Sequence, residues 1–155
     1  MGVEIERKFL VDQEKWQQLA KPAGTHYRQG YILSEAAKTI RVRITDKQGY
    51  LTIKGATQGI SRKEYEYTIP VNEGAELLDN FAEAELEKYR YCITFAGKVW
   101  EVDEFLGDNQ GLLIAEIELQ DEKEAFELPP WVTVEVSGDK KYYNSHLSVH
   151  PFSKW

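Results

Sequence analysis

From residue 3 the chain alternates. Val3, Ile5 and Phe9 share one parity and Glu4, Glu6 and Lys8 the other, with Arg7 the one charge among the apolar positions. Successive side chains of a strand point to opposite faces, so 3–10 is predicted as a strand with an apolar face and an ionisable face. The same period returns over 27–33, 39–45, 50–55 and 62–69, the second and third of these joined by a hairpin turn at 46–49. It resumes over 85–95, 98–105, 112–119 and 131–136, with turns at 96–97 and 107–111. Helices are predicted where the period lengthens. Asp12 caps a short one ending near Ala20, with Val11 and Trp16 spaced as a hydrophobic staple. Asn72 is expected to cap another, whose Ala75, Leu78, Phe81 and Ala82 form one apolar stripe. Asp121 and Glu124 read as an acidic capping box on a third, and Gly138-Asp139 opens a terminal helix over 140–149, halted by Pro151. Eight or nine strands with few helices and short connections suggest an antiparallel sheet or a closed barrel.

The charges keep to one parity. After Glu4, Glu6 and Lys8 come Thr39, Arg41 and Arg43, then Thr52 and Lys54, then Arg62, Glu64 and Glu66. Lys88 and Arg90, Glu101 and Asp103, and Glu116 and Glu118 complete the set. One such strand is what a solvated outer face laced with ion pairs looks like. Across nearly every strand, the pattern leaves few apolar residues to fill a barrel interior. The opposite parity is rich in Tyr, Val and Ile, and there are helices to cover it. These two facts favour an inverted barrel, with charges lining a tunnel and the apolar face packed outside. Inward cations then call for an anion, and clustered carboxylates for a divalent metal. Their combination is the chemistry of a metal-assisted polyphosphate site, where positioning and electrostatics carry most of the catalysis.

Composition narrows the classes. At 155 residues, 42% of them hydrophobic, the chain is expected to form one domain over 1–155. A net charge of -7 without a basic run is unsuited to broad binding of nucleic acid or an anionic membrane. The single cysteine, Cys92, excludes an internal disulfide framework and is expected to be a small core residue. No stretch is apolar enough to span a bilayer and the N-terminus is acidic rather than signal-like, so a soluble, cytoplasmic protein is expected. His26, His146 and His150 have no metal-site spacing, Tyr27 and Tyr31 are expected to pack the barrel, and Lys54-Gly55-Ala56-Thr57 lacks the P-loop core.

Assembled in order, these residues resemble the CYTH family, the triphosphate tunnel metalloenzymes. The family's Glu-x-Glu-x-Lys hallmark stands as Glu4-Ile5-Glu6-Arg7-Lys8. The likeness continues through Arg41-Val42-Arg43, Lys54, Glu64-Tyr65-Glu66, Lys88-Tyr89-Arg90, Glu101-Val102-Asp103 and Glu116-Ile117-Glu118 to the segment from Val134 to Ser145. The resemblance implies a mainly β fold: an eight-stranded antiparallel closed tunnel with flanking helices and a C-terminal plug helix. It implies Mg²⁺ or Mn²⁺ held by Glu4, Glu6, Glu116 and Glu118, with Asp103 supporting or joining them. Lys8, Arg41, Arg43, Lys54, Lys88 and Arg90 would bind phosphates, and Lys140 or Lys141 would reach the tunnel from the terminal helix. Glu64 and Glu66, with Lys8, would be catalytic, the two acids positioning a water or a second metal. Gln120 stands where some members carry a further alternate acid. The implied activity is hydrolysis of a small triphosphate, foremost inorganic tripolyphosphate to diphosphate and phosphate, by a monomer or homodimer. The alternatives are an adenylate cyclase, a nucleoside or thiamine triphosphatase, and a polyphosphate-binding module without catalysis.

Overall fold

The computed structural model describes residues 2–155. Nine strands form: β1 (Val3–Val11), β2 (Thr25–Ser34), β3 (Lys38–Ile44), β4 (Gly49–Gly55), β5 (Ser61–Ile69), β6 (Ala84–Phe95), β7 (Lys98–Phe105), β8 (Leu113–Glu118) and β9 (Val132–Glu135). The order β5-β4-β3-β2-β6-β7-β8-β1-β9 is closed by a further pairing of β5 with β1, so eight strands make an antiparallel ring. The closing edge of β1 is shared. Val3 to Ile5 face β5, and Phe9 to Val11 face β9. Three helices accompany the ring: α1 (Gln13–Gln18), α2 (Val71–Phe81) and the one-turn α3 (Asn144–Leu147).

The parity of the sequence decides what faces where. Trp100 and Val102 of β7, Ala115 and Ile117 of β8, and Phe9 of β1 lie outside the ring, where Trp16 of α1, Trp131 and Phe126 cover them. Trp100 is fully buried there, edge-on to Phe9, Phe126 and Trp131 at 5.5–6.1 Å. Arg7, the charge on the apolar parity, closes this layer from above. Its guanidinium lies 4.9 Å from the Phe126 ring centre and donates to Glu135 at 2.8 Å, pinning β9 beside β1. On the other side α2 lays Leu78 against Gly30 of β2, and Gly74 against Ile44 of β3. Beyond the reach of α2, the outer face of β4 and β5 leaves Ile53, Tyr65 and Tyr67 exposed.

The interior has two layers, which the charge pattern alone does not convey. Toward one end the inward parity turns apolar, with Leu86, Phe105 and Ile114 forming a cluster with Leu112 that Leu10 joins. Tyr142 and Leu147 are buried in that cluster and Phe152 packs on it, so the C-terminal segment gives the barrel a floor.

Several local expectations are corrected. The segment beyond β9 is not a helix over 140–149. A 3₁₀ turn at Lys140–Tyr142 precedes α3, because Tyr142 and Leu147 must both turn into the floor. No helix follows Asp121; the Glu124 carboxylate accepts from Gln120 N at 2.6 Å and closes a turn in which no helical hydrogen-bond series continues. α2 starts at Val71 with Pro70 at its cap position, so Asn72 is inside the helix rather than its cap. Cys92 is exposed, since it stands on the inward parity of β6 beyond Arg90, across from Glu101. The cap of α1 is as expected, Asp12 accepting from Lys15 N at 3.0 Å. Among the described residues, no helix is long and apolar enough to cross a membrane.

Gly74 separates two physical effects. In a helix interior, Gly→Ala gains about 1 kcal/mol from propensity, but a Cβ here would meet Ile44 Cγ2 at 2.5 Å. Overpacking costs about 1–3 kcal/mol, so Gly74→Ala is expected to lower stability in urea unfolding. A stabilised variant would show that α2 can lift from β3 freely.

Candidate active site

Within the ring, seven acidic and seven basic side chains line one cavity of about 230 Å³. Strand order segregates them. β1 and β8 are neighbours and bring Glu4, Glu6, Glu116 and Glu118 together, with Glu6 opposite Glu118 and Lys8 opposite Glu116 in the register. β2 stands farthest from β1 in the ring, and its flanking strands β3 and β6 carry Arg41, Arg43, Lys88 and Arg90. An acidic wall thus faces a basic one.

On the acidic wall, proximity forces the carboxylates to differ. Burial and the Glu116 charge push Glu6 up to about 8. Burial opposes the charge of Glu116 too, but Lys8, Arg90 and Lys88 outweigh it and hold Glu116 well below the usual range. A hydrogen bond from Glu6 also helps hold Glu116 low. Glu4 repeats the device with Glu64 of β5. Its burial is overcome by that hydrogen bond and by Lys54 and Arg62, which hold it low. Glu64 is pushed up to about 7 by burial and by Glu4. Lys54 Nζ reaches Glu4 at 3.0 Å and Glu64 at 3.3 Å, and Arg62 Nε reaches Glu4 at 3.3 Å.

The basic wall is unevenly neutralised. Asp103 is fully buried behind it, holding Arg90 through two bonds at 2.7 and 2.9 Å and Lys88 at 2.7 Å. Arg90 also reaches Glu116 at 3.1 Å. Arg41 and Arg43 have far less. They share a single oxygen of Glu66 at 3.6 and 3.5 Å, and that same oxygen accepts from Thr52. The Nε atoms of both arginines are buried without a hydrogen-bond partner. Burial and the neighbouring Arg41 and Arg90 charges lower Arg43 to about 10. Tyr27 lies between the Arg43 and Arg90 guanidiniums, 5.0 and 5.6 Å from its ring centre, and so spaces two like charges.

Most of the residues singled out from the sequence converge here: Glu4, Glu6, Lys8, Arg41, Arg43, Lys54, Glu64, Glu66, Lys88, Arg90, Glu116 and Glu118 all line the cavity. Asp103 is placed behind the wall rather than on it. Lys140 and Lys141 are exposed, the latter with its ammonium 4.4 Å from the Trp155 ring centre. Tyr143, Asn144 and Ser145 reach the cavity from that segment instead. Arg62 and Glu101 also line it. Both keep the charged parity, and that signal was available. The contributions of Tyr143, Asn144 and Ser145 had none, since only the floor's packing aims them.

The donor chemistry suits a hard divalent cation. The acidic wall offers carboxylate oxygens and neither histidine nor cysteine. Among the described residues no three such groups already converge as ligands; the carboxylates are tied to protons and cations that a metal would replace. Net neutrality matters equally. With seven acids balancing seven bases, a bare polyanion matches only the basic wall, whereas a polyanion with its divalent cations matches both.

Comparison with known proteins gives the same direction. The CYTH domain family model matches residues 2–148. The chain is 51% identical to an inorganic triphosphatase of Acetivibrio thermocellus, over 100% of this chain and 99% of that protein. It is 35% identical to an inorganic triphosphatase of Nitrosomonas europaea, over 94% and 97% of the two chains. A crystal structure of an inorganic triphosphatase superposes with a TM-score of 0.65 at 32% identity, covering 94% of this chain and 97% of that one.

The Arg43 environment predicts its own stability effect. A base whose folded pKa is lowered destabilises the fold wherever it is charged, so the penalty is present below about pH 10 and fades above it. Arg43→Met is expected to raise the stability of the ligand-free protein by about 1 kcal/mol, read as a higher midpoint in urea. Loss of stability would mean that Glu66 and Tyr27 already satisfy the guanidinium.

Proposed function

The chain belongs to the CYTH-domain family, and from that premise we propose that it hydrolyses inorganic tripolyphosphate to diphosphate and phosphate with Mg²⁺ or Mn²⁺. The observation that carries this reading is the balanced pair of walls with two under-neutralised arginines, Arg41 and Arg43, at its basic side. The cavity, about 230 Å³, is below the usual range for drug-sized ligands and favours a small inorganic chain over a nucleotide. The names of the two relatives, both inorganic triphosphatases, support the same substrate.

In this mechanism the substrate lies along the basic wall. Arg41 and Arg43 donate their free N–H groups to phosphate oxygens, which planar guanidinium forks match in geometry. Lys54, Lys88 and Arg90 neutralise the remaining charge, and Asp103 supports them by fixing Lys88 and Arg90 in place. Lys8, paired with Glu116 at 3.4 Å and lining the same cavity, adds a cation within the acidic wall. Glu4, Glu6, Glu116 and Glu118 would hold the divalent cation, which would supply positive charge to offset that developing on the phosphate oxygens. Glu64 and Glu66 orient the attacking water. The water's oxygen bonds to a terminal phosphorus and gives up a proton to solvent, the bond to the bridging oxygen breaks, and diphosphate leaves with that electron pair.

Purified protein is expected to convert tripolyphosphate to equimolar diphosphate and phosphate with Mg²⁺ or Mn²⁺, and a chelator should abolish this. Glu6→Gln and Arg41→Ala should each lower kcat/KM at least about a hundredfold, the loss of one strong transition-state contact. Cyclic AMP released from ATP would replace hydrolase by cyclase. Tight binding without turnover under either metal would leave a binding module.

A further inference from the structure

Lys88 is held by two groups of different kind. Its side chain is 2% exposed, on β6, and its ammonium donates to Asp103 at 2.7 Å and to Asn144 Oδ1 at 3.1 Å. Asn144 is the first residue of α3 and lines the cavity. The same Oδ1 accepts from Gln29 Nε2 at 3.3 Å, and Gln29 is fully buried on β2. Two donors on one oxygen fix which way the Asn144 amide faces, because the flipped amide would set N–H against N–H. The backbone is fixed as well. Tyr142 and Leu147, on either side of Asn144, are buried in the floor, and Leu147 N donates to Tyr143 O at 2.9 Å.

We propose that Asn144 is a positioning residue that aims the Lys88 ammonium into the cavity, so that the C-terminal segment completes the phosphate-binding wall as well as closing the barrel. The inference rests on the triphosphatase reading for its effect on turnover, though the contact itself does not. With Asp103 alone, an ammonium in a low-dielectric wall is drawn onto the carboxylate behind it. Asn144 supplies a second acceptor from the cavity side, and being neutral it orients the ammonium without cancelling the charge a phosphate needs. A carboxylate at 144 would orient Lys88 equally and cancel that charge. The burial that lowers Lys88 to about 7, along with the Arg90 charge, makes each acceptor count.

Two measurements test this separately. The first uses ligand-free protein and trace acetic anhydride, reading acetylation of Lys88 by mass spectrometry against exposed Lys38 as internal reference. Asn144→Ala should raise relative Lys88 labelling about tenfold, and Asn144→Asp, which keeps the acceptor and adds a negative charge that favours the ammonium, should lower it below wild type. Equal labelling in wild type and Asn144→Ala overturns the proposal. The second is a double-mutant cycle on tripolyphosphate hydrolysis with Mg²⁺. Asn144→Ala should raise KM about tenfold with kcat within about threefold, the loss of one charge-assisted hydrogen bond, and Asn144→Asp should raise KM too. In a Lys88→Ala background, Asn144→Ala should add less than twofold. Additive effects would overturn the proposal, showing that Asn144 acts through the floor and not through Lys88. Should Asn144→Ala fail to fold, Asn144→Leu keeps the side-chain shape, removes the same acceptor and carries both measurements. If wild-type protein does not turn over tripolyphosphate, the functional reading falls while the labelling result still decides the contact.

Discussion

Everything in this fold depends on placing cations and carboxylates together in a space that excludes most water. Seven of each line the cavity, and neither set is tolerable alone. An unpaired charge in a low-dielectric interior costs several kcal/mol, and removing one partner of a buried pair leaves that cost exposed. Lys54 with Glu4 and Glu64, Arg90 with Asp103 and Glu116, and Lys8 with Glu116 are therefore conditions for closing the ring. Where pairing is incomplete, at Arg41 and Arg43, the deficit points to the ligand.

A charged interior moves the hydrophobic core elsewhere. With the apolar parity facing outward, burial has to come from what lies over the ring: Trp16, Phe126 and Trp131 on one side and α2 on the other. Trp100, on a barrel strand, is fully buried for this reason although it points away from the tunnel. The remaining apolar residues of the inward parity gather at one end. There Leu86, Phe105 and Ile114 receive Tyr142 and Leu147, so the C-terminal segment is anchored by hydrophobic burial and presents polar residues to the cavity. Floor and wall are one packing unit.

Facing walls of opposite sign impose a joint requirement on the ligand. A polyanion satisfies one wall, a divalent cation the other, and their complex satisfies both. Membership of the CYTH family and likeness to inorganic triphosphatases over nearly the full chain agree with that chemistry. Segregation of charge around the ring matters more than its total, because a random arrangement of the same groups would neutralise itself.

Period-two alternation and the confinement of charge to one parity were enough, from the sequence, to give strands, a tunnel and most of its lining. Side-chain direction in a strand follows from backbone geometry alone, so Glu4, Arg43 or Glu116 could be assigned to the interior without knowing what faced them. Parity does not say which inward groups look into open space and which into another side chain. Asp103 keeps the right parity, yet its two oxygens are taken by Lys88 and Arg90. Beyond β9 there is no periodicity to read. The choice of Asn144 over Lys140 and Lys141 came from where Tyr142 and Leu147 bury, a long-range packing decision that no local pattern encodes. The sequence by itself determined the chemistry of the wall; tertiary packing decided which groups stay free to meet a ligand, because that depends on neighbours distant in the chain.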